Sequence, residues 1–476
     1  MTAEEDGGRT RRDAESRGRR GLAMAVAAGL LALLLPGPET LSPQGQRLAA
    51  IFVFGIVLWV SEALPVGVTA LLVVVLQPIL GVQSLHAAFE GFASPVFFFV
   101  LAMFCIAAAI TGARLEQRFA YWLLGRAGTG SRRVLAALMI GTAATSTIIS
   151  DVPACAIFMT IGAGILGRTG VPRGDSAFGK GVMVGIPIAA LIGGVATPAG
   201  SSVNILGIHF IEEHGGVRIP FVDWMALGVP MALLLVPAAI WVILRAFPPE
   251  LESIGHPEEI RRERRELGPM TVREKKTIVL LVTMMALWIL GSWVPALSTV
   301  VVALVGAVVL FLPGVALLSW RRAEQVIAWD TLLMIGGVTS IGAASVESGL
   351  AGWLVQSFLG GMQDWNLIWI LAAISAFTVV IHLALPIGPV VNAVVIPPIA
   401  LLALDAGQDP ALYALPVAFT ASCAFLLPLD PVALLTYSKG YFRMLDMARV
   451  GSVISVFWVI WMTALMIWLG PLLGIG

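Results

Sequence analysis

Two aspartates sit where a chain this apolar has little reason to place them. Asp151 lies in Thr145-Ser146-Thr147-Ile148-Ile149-Ser150-Asp151-Val152-Pro153, and Asp430 in Phe425-Leu426-Leu427-Pro428-Leu429-Asp430-Pro431-Val432-Ala433. Long apolar runs flank both. An intramembrane carboxylate is costly and is functional by default. Around Asp151 a helix would run in, turn on hydroxyls and a carboxylate, and run out with Pro153 in its first turn. Carbonyls free at the incoming C-terminus, with the Ser and Thr oxygens, suit a hard cation such as Na+. Amides free at the outgoing N-terminus favour an anion. The bland alternative is a helix kink whose hydroxyls bond back to their own helix. Asp430 reads three ways: a Na+ ligand, a proton carrier, or the N-cap of the half-helix opened by Pro431.

Two more stretches are too irregular for a lipid-facing helix. Leu191 to Gly207 carries four glycines, a proline, three hydroxyl residues and Asn204 inside an apolar segment. Irregular backbone at membrane depth survives only where protein buries it or where it lines a watery cavity. A broken span of this kind points to a transporter's binding site. Leu383-Ala384-Leu385-Pro386-Ile387-Gly388-Pro389-Val390-Val391-Asn392 is broken by two prolines and a glycine, with His382 just upstream. Its recognition groups are mostly backbone. His382 is either a protonatable cavity residue or a satisfied core histidine. Glu62 and Asp330 read as helix-end caps or interfacial anchors. No transmembrane arginine is available to bind an anion, so dipoles, amides and hydroxyls are expected to hold one.

The elements that carry these residues follow from composition. Of 476 residues 58% are hydrophobic and 12% charged, and mean hydropathy is +0.93, which marks an all-α polytopic membrane protein. Net charge is zero, which gives no case for a nucleic-acid partner. Cys105, Cys155 and Cys423 sit in apolar runs and read as buried small hydrophobes. The acids and histidines show neither metal spacing nor a nucleophile–base pair, so an enzyme is not expected.

About 20 apolar residues cross a bilayer. By that measure there are eleven spans, near 22–36, 47–64, 66–83, 95–112, 181–209, 225–246, 276–292, 296–313, 328–349, 412–438 and 448–471. The stretches 132–167 and 366–402 read as re-entrant hairpins. With the N-terminus cytoplasmic, the basic clusters Arg114 to Arg133, Arg168 to Lys180, Arg245 to Lys276, Arg321-Arg322 and Lys439 to Arg449 all fall inside, in a plasma or inner membrane. Residues 1–20 read as a disordered basic cytoplasmic tail without a cleavable signal. The first span and first repeat fill 21–247, a charged cytoplasmic linker 248–275, and the second repeat 276–476. Hairpin midpoints and breaks recur at an offset of about 235 residues. An odd number of spans per half inverts the second half, as expected of a secondary transporter.

At this point Ser61-Glu62-Ala63-Leu64-Pro65-Val66-Gly67-Val68-Thr69-Ala70-Leu71, Leu191-Ile192-Gly193-Gly194-Val195-Ala196-Thr197 with Gly200-Ser201 and Asn204, Trp329-Asp330-Thr331-Leu332-Leu333 with Gly336-Gly337, Glu347-Ser348-Gly349-Leu350 and Ser438-Lys439-Gly440-Tyr441 take on a joint meaning. Over nearly the whole chain, the sequence resembles the divalent anion/sodium symporter family of dicarboxylate, citrate and sulfate transporters. The resemblance implies eleven spans with two hairpins, a homodimer through a scaffold domain, and an elevator movement. In that family each hairpin tip carries Ser-Asn-Thr. Here the tips read Ser150-Asp151-Val152 and Ile387-Gly388-Pro389, and the second break has Asp430-Pro431-Val432-Ala433 in place of Thr-Pro-Pro-Asn.

The resemblance makes a symporter of a small divalent anion the expected function, with Na+ as the coupled ion. Ser146, Ser150, Asp151 and Gly200 would form one Na+ site. Asp430, with carbonyls near Ala384 and Gly388, would form a second. Substrate would meet Ser150, Asp151, Val152, Ser201 and Asn204 on one side and Gly388, Pro389, Asp430 and Pro431 on the other. The rivals are proton coupling or anion exchange on the same fold, and a non-transporting relative.

Overall fold

A computed structural model of the chain describes residues 3–38, 40–61, 63–254, 262, 265–359, 361, 365–383, 385 and 387–475. Glu62 and Ala384 lie outside the described residues. Among those described, helix is the regular element, and Gly130 and Ser253 make one isolated β-bridge. The first half holds α1 (Ala3–Leu34), α2 (Pro43–Ser61), α3 (Val66–Ile79), the short α4 (Leu85–Glu90), α5 (Pro95–Ala113), α6 (Leu115–Ala127), α7 (Ser131–Ile149), α8 (Asp151–Arg168), α9 (Ala177–Gly194), α10 (Ser202–Gly215) and α11 (Phe221–Ala246). The second half holds α12 (Val272–Gly291), α13 (Thr299–Val309), α14 (Trp320–Val326), α15 (Trp329–Glu347), α16 (Leu350–Leu359), α17 (Leu367–Ile381), α18 (Gly388–Asp405), α19 (Pro410–Thr420), α20 (Pro431–Tyr437) and α21 (Met444–Leu469).

The helices start where the sequence offers a cap. Ser94, Ser176, Ser298, Ser319, Asn366 and Asp409 each accept a hydrogen bond from a backbone N–H of the first turn, and Thr271 with Glu274 forms a capping box. Pro95 and Pro410 fill first-turn positions whose N–H has no helical acceptor.

Among the described residues, nine helical stretches are long and apolar enough to cross a membrane, and α3, α13, α17 and α19 are apolar but shorter. The legs of the expected first hairpin, α7 and α8, are 19 and 18 residues long, each the length of a span. Helix α1 takes in the basic segment expected to be disordered. No proline interrupts it, so the helix can extend N-terminally from its apolar part. Large apolar side chains such as Leu233, Val279, Val308 and Trp468 face outward.

Helix α9 lies at the centre and is buried along nearly its whole length, which suits its all-round apolar sequence. It packs against α7, α8, α11 and α20. The tightest approach is at Gly193, where an added Cβ would fall 2.5 Å from the Ala143 Cα, so α7 and α9 touch backbone to backbone.

Both expected breaks are present. Helix α9 stops at Gly194, residues 198–200 make one 3-10 turn, and α10 starts at Ser202. Helix α19 stops at Thr420 and α20 starts at Pro431. The halves interlock reciprocally. Helix α10 packs on α18 and α19 of the second half, while α20 packs on α8 and α9 of the first. Trp224 Nε1 donates to the Val195 carbonyl at 2.9 Å, at the start of the first break. Trp458 Nε1, about 235 residues later, donates to Thr420 Oγ1 at 3.1 Å, at the start of the second.

The charged linker is strapped to the base of this bundle. Ser131 N and Oγ donate to Glu252 and Leu251 carbonyls, and Ile254 N donates to Thr129. The Glu250 carboxylate accepts from the Ser176 hydroxyl and, at 2.8 Å, from Phe178 N, fixing the start of α9. Burial pushes the Glu250 carboxyl up, but hydrogen bonds from Ser176, Phe178 and Ala177 outweigh it and hold it below its ordinary range. A depressed carboxyl contributes stability that is present above its unfolded pKa and lost as pH falls through the folded one. We therefore expect Glu250→Gln to remove part of the loss of thermal stability below about pH 4.5. A melting series in detergent from pH 7 to pH 3.5 measures this.

Candidate functional site

Ser150 is the entire turn between α7 and α8, and its backbone is in an unusual state, φ 91° and ψ 152°. Such a conformation costs a non-glycine residue about 1–3 kcal/mol and persists only where surroundings enforce it. The enforcement is visible. Ser146 Oγ donates to the Ala190 carbonyl at 2.7 Å, and Thr197 Oγ1 donates to the Thr147 carbonyl at 2.7 Å, so α9 and the first break clamp the incoming leg.

Asp151 is buried at this tip, 8% exposed. One carboxylate oxygen accepts from Ser150 Oγ at 3.0 Å and Val152 N at 2.8 Å, and the other accepts from Ser201 Oγ at 3.0 Å. Both carboxylate oxygens are thus hydrogen-bonded within the tip. The Val152 amide, expected to be open to an anion, is taken by the Asp151 carboxylate. Ser201 Oγ, besides donating to Asp151, caps α10 by accepting from Val203 N at 3.3 Å.

Gly200 completes the cluster. An added Cβ there would collide with the Gly194 carbonyl oxygen and lie 3.0 Å from the Ser146 carbonyl oxygen. Backbone oxygens of Ser146 and Gly194 thus converge beside Asp151, a hard-oxygen set of the kind that holds an alkali cation. Asn204 spans the break from behind: its Nδ2 donates to the Gly194 carbonyl at 2.8 Å and the Thr197 carbonyl at 2.9 Å. Its Oδ1 is buried with no hydrogen-bond partner. Asn204 therefore shapes the break from its buried side. Among the described residues no cluster of three His, Cys, Asp or Glu residues is placed to hold a metal ion.

The tip opens on a cavity of about 850 Å³ lined by Ser150, Asp151, Val152 and Pro153 on one wall. Residues of α5, α12 and the segment 316–331 also line it, among them Thr111, Arg273 and Arg322. No arginine was expected near the tip. The two arginines come from loop-like, charged sequence and reach the cavity only through the fold.

A match to the family description "Sodium:sulfate symporter transmembrane region" covers residues 19–475. The chain belongs to this symporter family. It is 27% identical over 458 residues to a membrane protein of Cupriavidus necator, covering 92% of this chain and 89% of that one. It is 27% identical to the sodium-dependent dicarboxylate transporter SdcS of Staphylococcus saprophyticus, over 92% of this chain and 88% of SdcS. Against SdcS of Staphylococcus aureus the identity is again 27%, over 94% and 89%. Among solved structures, the Alcanivorax borkumensis YdaH transporter superposes with a TM-score of 0.50 at 15% identity, over 80% of this chain and 86% of that one. Neisseria gonorrhoeae MtrF gives 0.50 at 12%, over 80% and 82%. These two share the fold.

This sodium:sulfate symporter relative is thus a membrane transporter and not an enzyme. Its second polar cluster is sparser than its first. Asp430 is half-buried, and one carboxylate oxygen caps α20 by accepting from Val432 N at 2.8 Å. Pro431 fills the first-turn position. Gly388 starts α18 with Pro389 beside it, and a Cβ at Gly388 would lie 2.7 Å from the Ala421 carbonyl oxygen, so this glycine seats the second tip against the second break. His382 Nε2 bonds the same Ala421 oxygen at 2.9 Å, and its buried Nδ1 has no partner. Cys155 Sγ of α8 donates to the Val432 carbonyl at 3.4 Å, tying the first helix after the first tip to the first turn of α20. Asp330 caps the start of α3, accepting from Gly67 N at 3.3 Å. The pairing of Trp224 and Trp458 with the two breaks was not anticipated. Their spacing matches the repeat offset, a signal present in the sequence.

Proposed function

We propose that the chain is a Na+-driven symporter of a small divalent anion such as a C4-dicarboxylate, citrate or sulfate. The observation that carries this is the Asp151 cluster: a buried carboxylate, two serine hydroxyls and converging Ser146 and Gly194 carbonyls, at a hairpin tip beside a broken helix, facing a cavity. A cation held there neutralises the carboxylate and lets a dianion approach. The sodium-dependent dicarboxylate transporters among its relatives support the same reading.

In this reading α7–α8 and α17–α18 are re-entrant hairpins, eleven spans complete the fold, and residues 21–247 and 276–476 form an inverted repeat. The reciprocal packing of the halves and the Trp224–Trp458 correspondence support it. The N-terminus and basic loops face the cytoplasm from a plasma or inner membrane, the transporter is a homodimer, and the site moves by an elevator motion. Asp430, with its uncapped oxygen, contributes to a second Na+ site. Asp430→Asn keeps the cap, since asparagine caps as well as aspartate. We expect an unchanged melting midpoint without Na+ and an apparent Na+ affinity lowered about tenfold, equivalent to about 1.4 kcal/mol.

Proton coupling is the second reading. Two acids in apolar segments, Asp151 and Asp430, either of which can carry a proton, favour it. A thermal-shift series with Na+, Li+ or K+ across pH, with and without succinate, citrate, sulfate and phosphate, separates the two. Stabilisation by Na+ that grows with one dianion supports Na+ symport. Stabilisation that follows pH and ignores Na+ replaces it with proton coupling or exchange.

A further inference from the structure

The cavity facing the Asp151 tip has a wall that the binding site does not explain. Arg273 extends from the first turn of α12 and Arg322 from the first turn of α14, on separate elements, and both line it. Two other basic residues of the bundle are neutralised by acids. Arg118 makes a two-point contact with Glu274, and Lys180 meets Asp446 at 3.3 Å. The cavity arginines are not. Arg273 donates one Nη2 bond, 2.9 Å to the Leu317 carbonyl, which steers the side chain without cancelling its charge. The Arg322 guanidinium has no hydrogen-bond or ion-pair partner among the described residues. Gly112 makes room for this wall. A Cβ at that position would lie 2.6 Å from Arg273 Nη2, so any larger residue on α5 would displace the guanidinium.

Among the described residues Asp151 is the one acidic group lining the cavity, and both its oxygens are already occupied by donors from its own wall. Two arginines therefore line an opening that holds one engaged carboxylate. Hydroxyls from Thr111, Ser202, Ser319 and Thr331 complete the polar lining. Guanidinium is a planar fork that stays charged at all physiological pH and matches carboxylate and sulfate oxygens two at a time. We propose that Arg273 and Arg322 form a second, outer subsite for the oxyanion substrate. It would hold the anion at the mouth of the cavity before or after it occupies the Asp151 tip. This rests on the reading of the chain as a divalent-anion transporter whose basic face is cytoplasmic. It makes binding from that face salt-dependent and sets its affinity separately from the far side.

The test uses the full-length protein with Val326→Cys, a cavity-lining reporter at the end of α14, and the three native cysteines buried. Labelling by a membrane-impermeant maleimide is followed against sulfate and succinate at constant ionic strength. We expect either anion to slow labelling, and Arg322→Gln to raise the half-effective concentration about tenfold or more. Arg322→Lys should recover part of the effect, and Arg321→Gln, next door but outside the cavity lining, should have none. An equal shift in the Arg321 and Arg322 variants reduces the effect to general surface charge and overturns the subsite. Absence of protection by either anion when Arg322 is intact overturns it as well. Na+-dependent uptake by the same preparations judges the transport reading independently, because a protein can transport without protecting the reporter thiol, or protect it without transporting.

Discussion

Asp151→Ala is expected to abolish Na+-driven uptake, with a loss of at least about 100-fold, or about 2.7 kcal/mol of coupling. The substitution removes the carboxylate that three donors converge on: Ser150 Oγ, Val152 N and Ser201 Oγ. Each buried donor left without an acceptor costs about 1–3 kcal/mol, so the tip would also loosen. Asp151→Asn separates charge from shape. It keeps an oxygen for the Val152 amide and the Ser150 hydroxyl and turns an NH2 toward the Ser201 hydroxyl, which rotates to accept it. It should therefore retain more uptake than alanine with a weaker Na+ dependence. Saturating Na+ at about 100 times its dissociation constant stabilises the parent by about 2.7 kcal/mol through binding alone. That shift in melting midpoint should vanish in Asp151→Ala. A full Na+ shift surviving in Asp151→Ala would remove this carboxylate from the cation site.

Gly193→Ala is the second large effect. The added methyl would sit 2.5 Å from the Ala143 Cα, and no side-chain rotation relieves a clash with backbone. Helices α7 and α9 must separate. Overpacking a close-packed interior costs about 1–3 kcal/mol, and a backbone-to-backbone clash belongs at or beyond the upper end. The same displacement pulls Ser146 from Ala190 and Thr147 from Thr197, so the tip is lost together with stability. Melting in detergent should show a clear drop and uptake should be absent. Gly167→Ala in α8 is the control: it has open space around its Cβ position and should melt at or slightly above the parent temperature. Equal behaviour of the two variants would mean that α7 and α9 are not in backbone contact.

The irregular stretches are legible because their composition contradicts their surroundings. Glycine, proline and hydroxyls within Leu191 to Gly207 have few uses other than a break, and the break is there between Gly194 and Ser202. Ser150-Asp151 with Pro153 tells of a turn between two helices for the same reason. Caps at Ser94-Pro95 and Asp409-Pro410 announce helix starts by local chemistry alone. What composition does not carry is direction. From the sequence, Ser201 and Asn204 read as facing substrate, yet Ser201 turns to Asp151 and Asn204 turns to the carbonyls of the break. A residue type on a break says that a polar partner exists, not which side supplies it. Arg273 and Arg322 are hidden for the opposite reason. They lie in charged segments, where arginine is ordinary, and only tertiary packing brings them to the cavity at the tip. The legs of the first hairpin are longer than half a membrane because hydropathy marks where an apolar run ends, not how deep it goes.

The most direct measurement is uptake of radiolabelled succinate or sulfate into proteoliposomes under an imposed Na+ gradient, with a proton gradient and no gradient as parallel arms. Accumulation that requires inward Na+, persists when the proton gradient is collapsed, and disappears in Asp151→Ala is the expected result. Accumulation driven by protons and indifferent to Na+ would contradict Na+ coupling and make Asp151 or Asp430 the proton carrier.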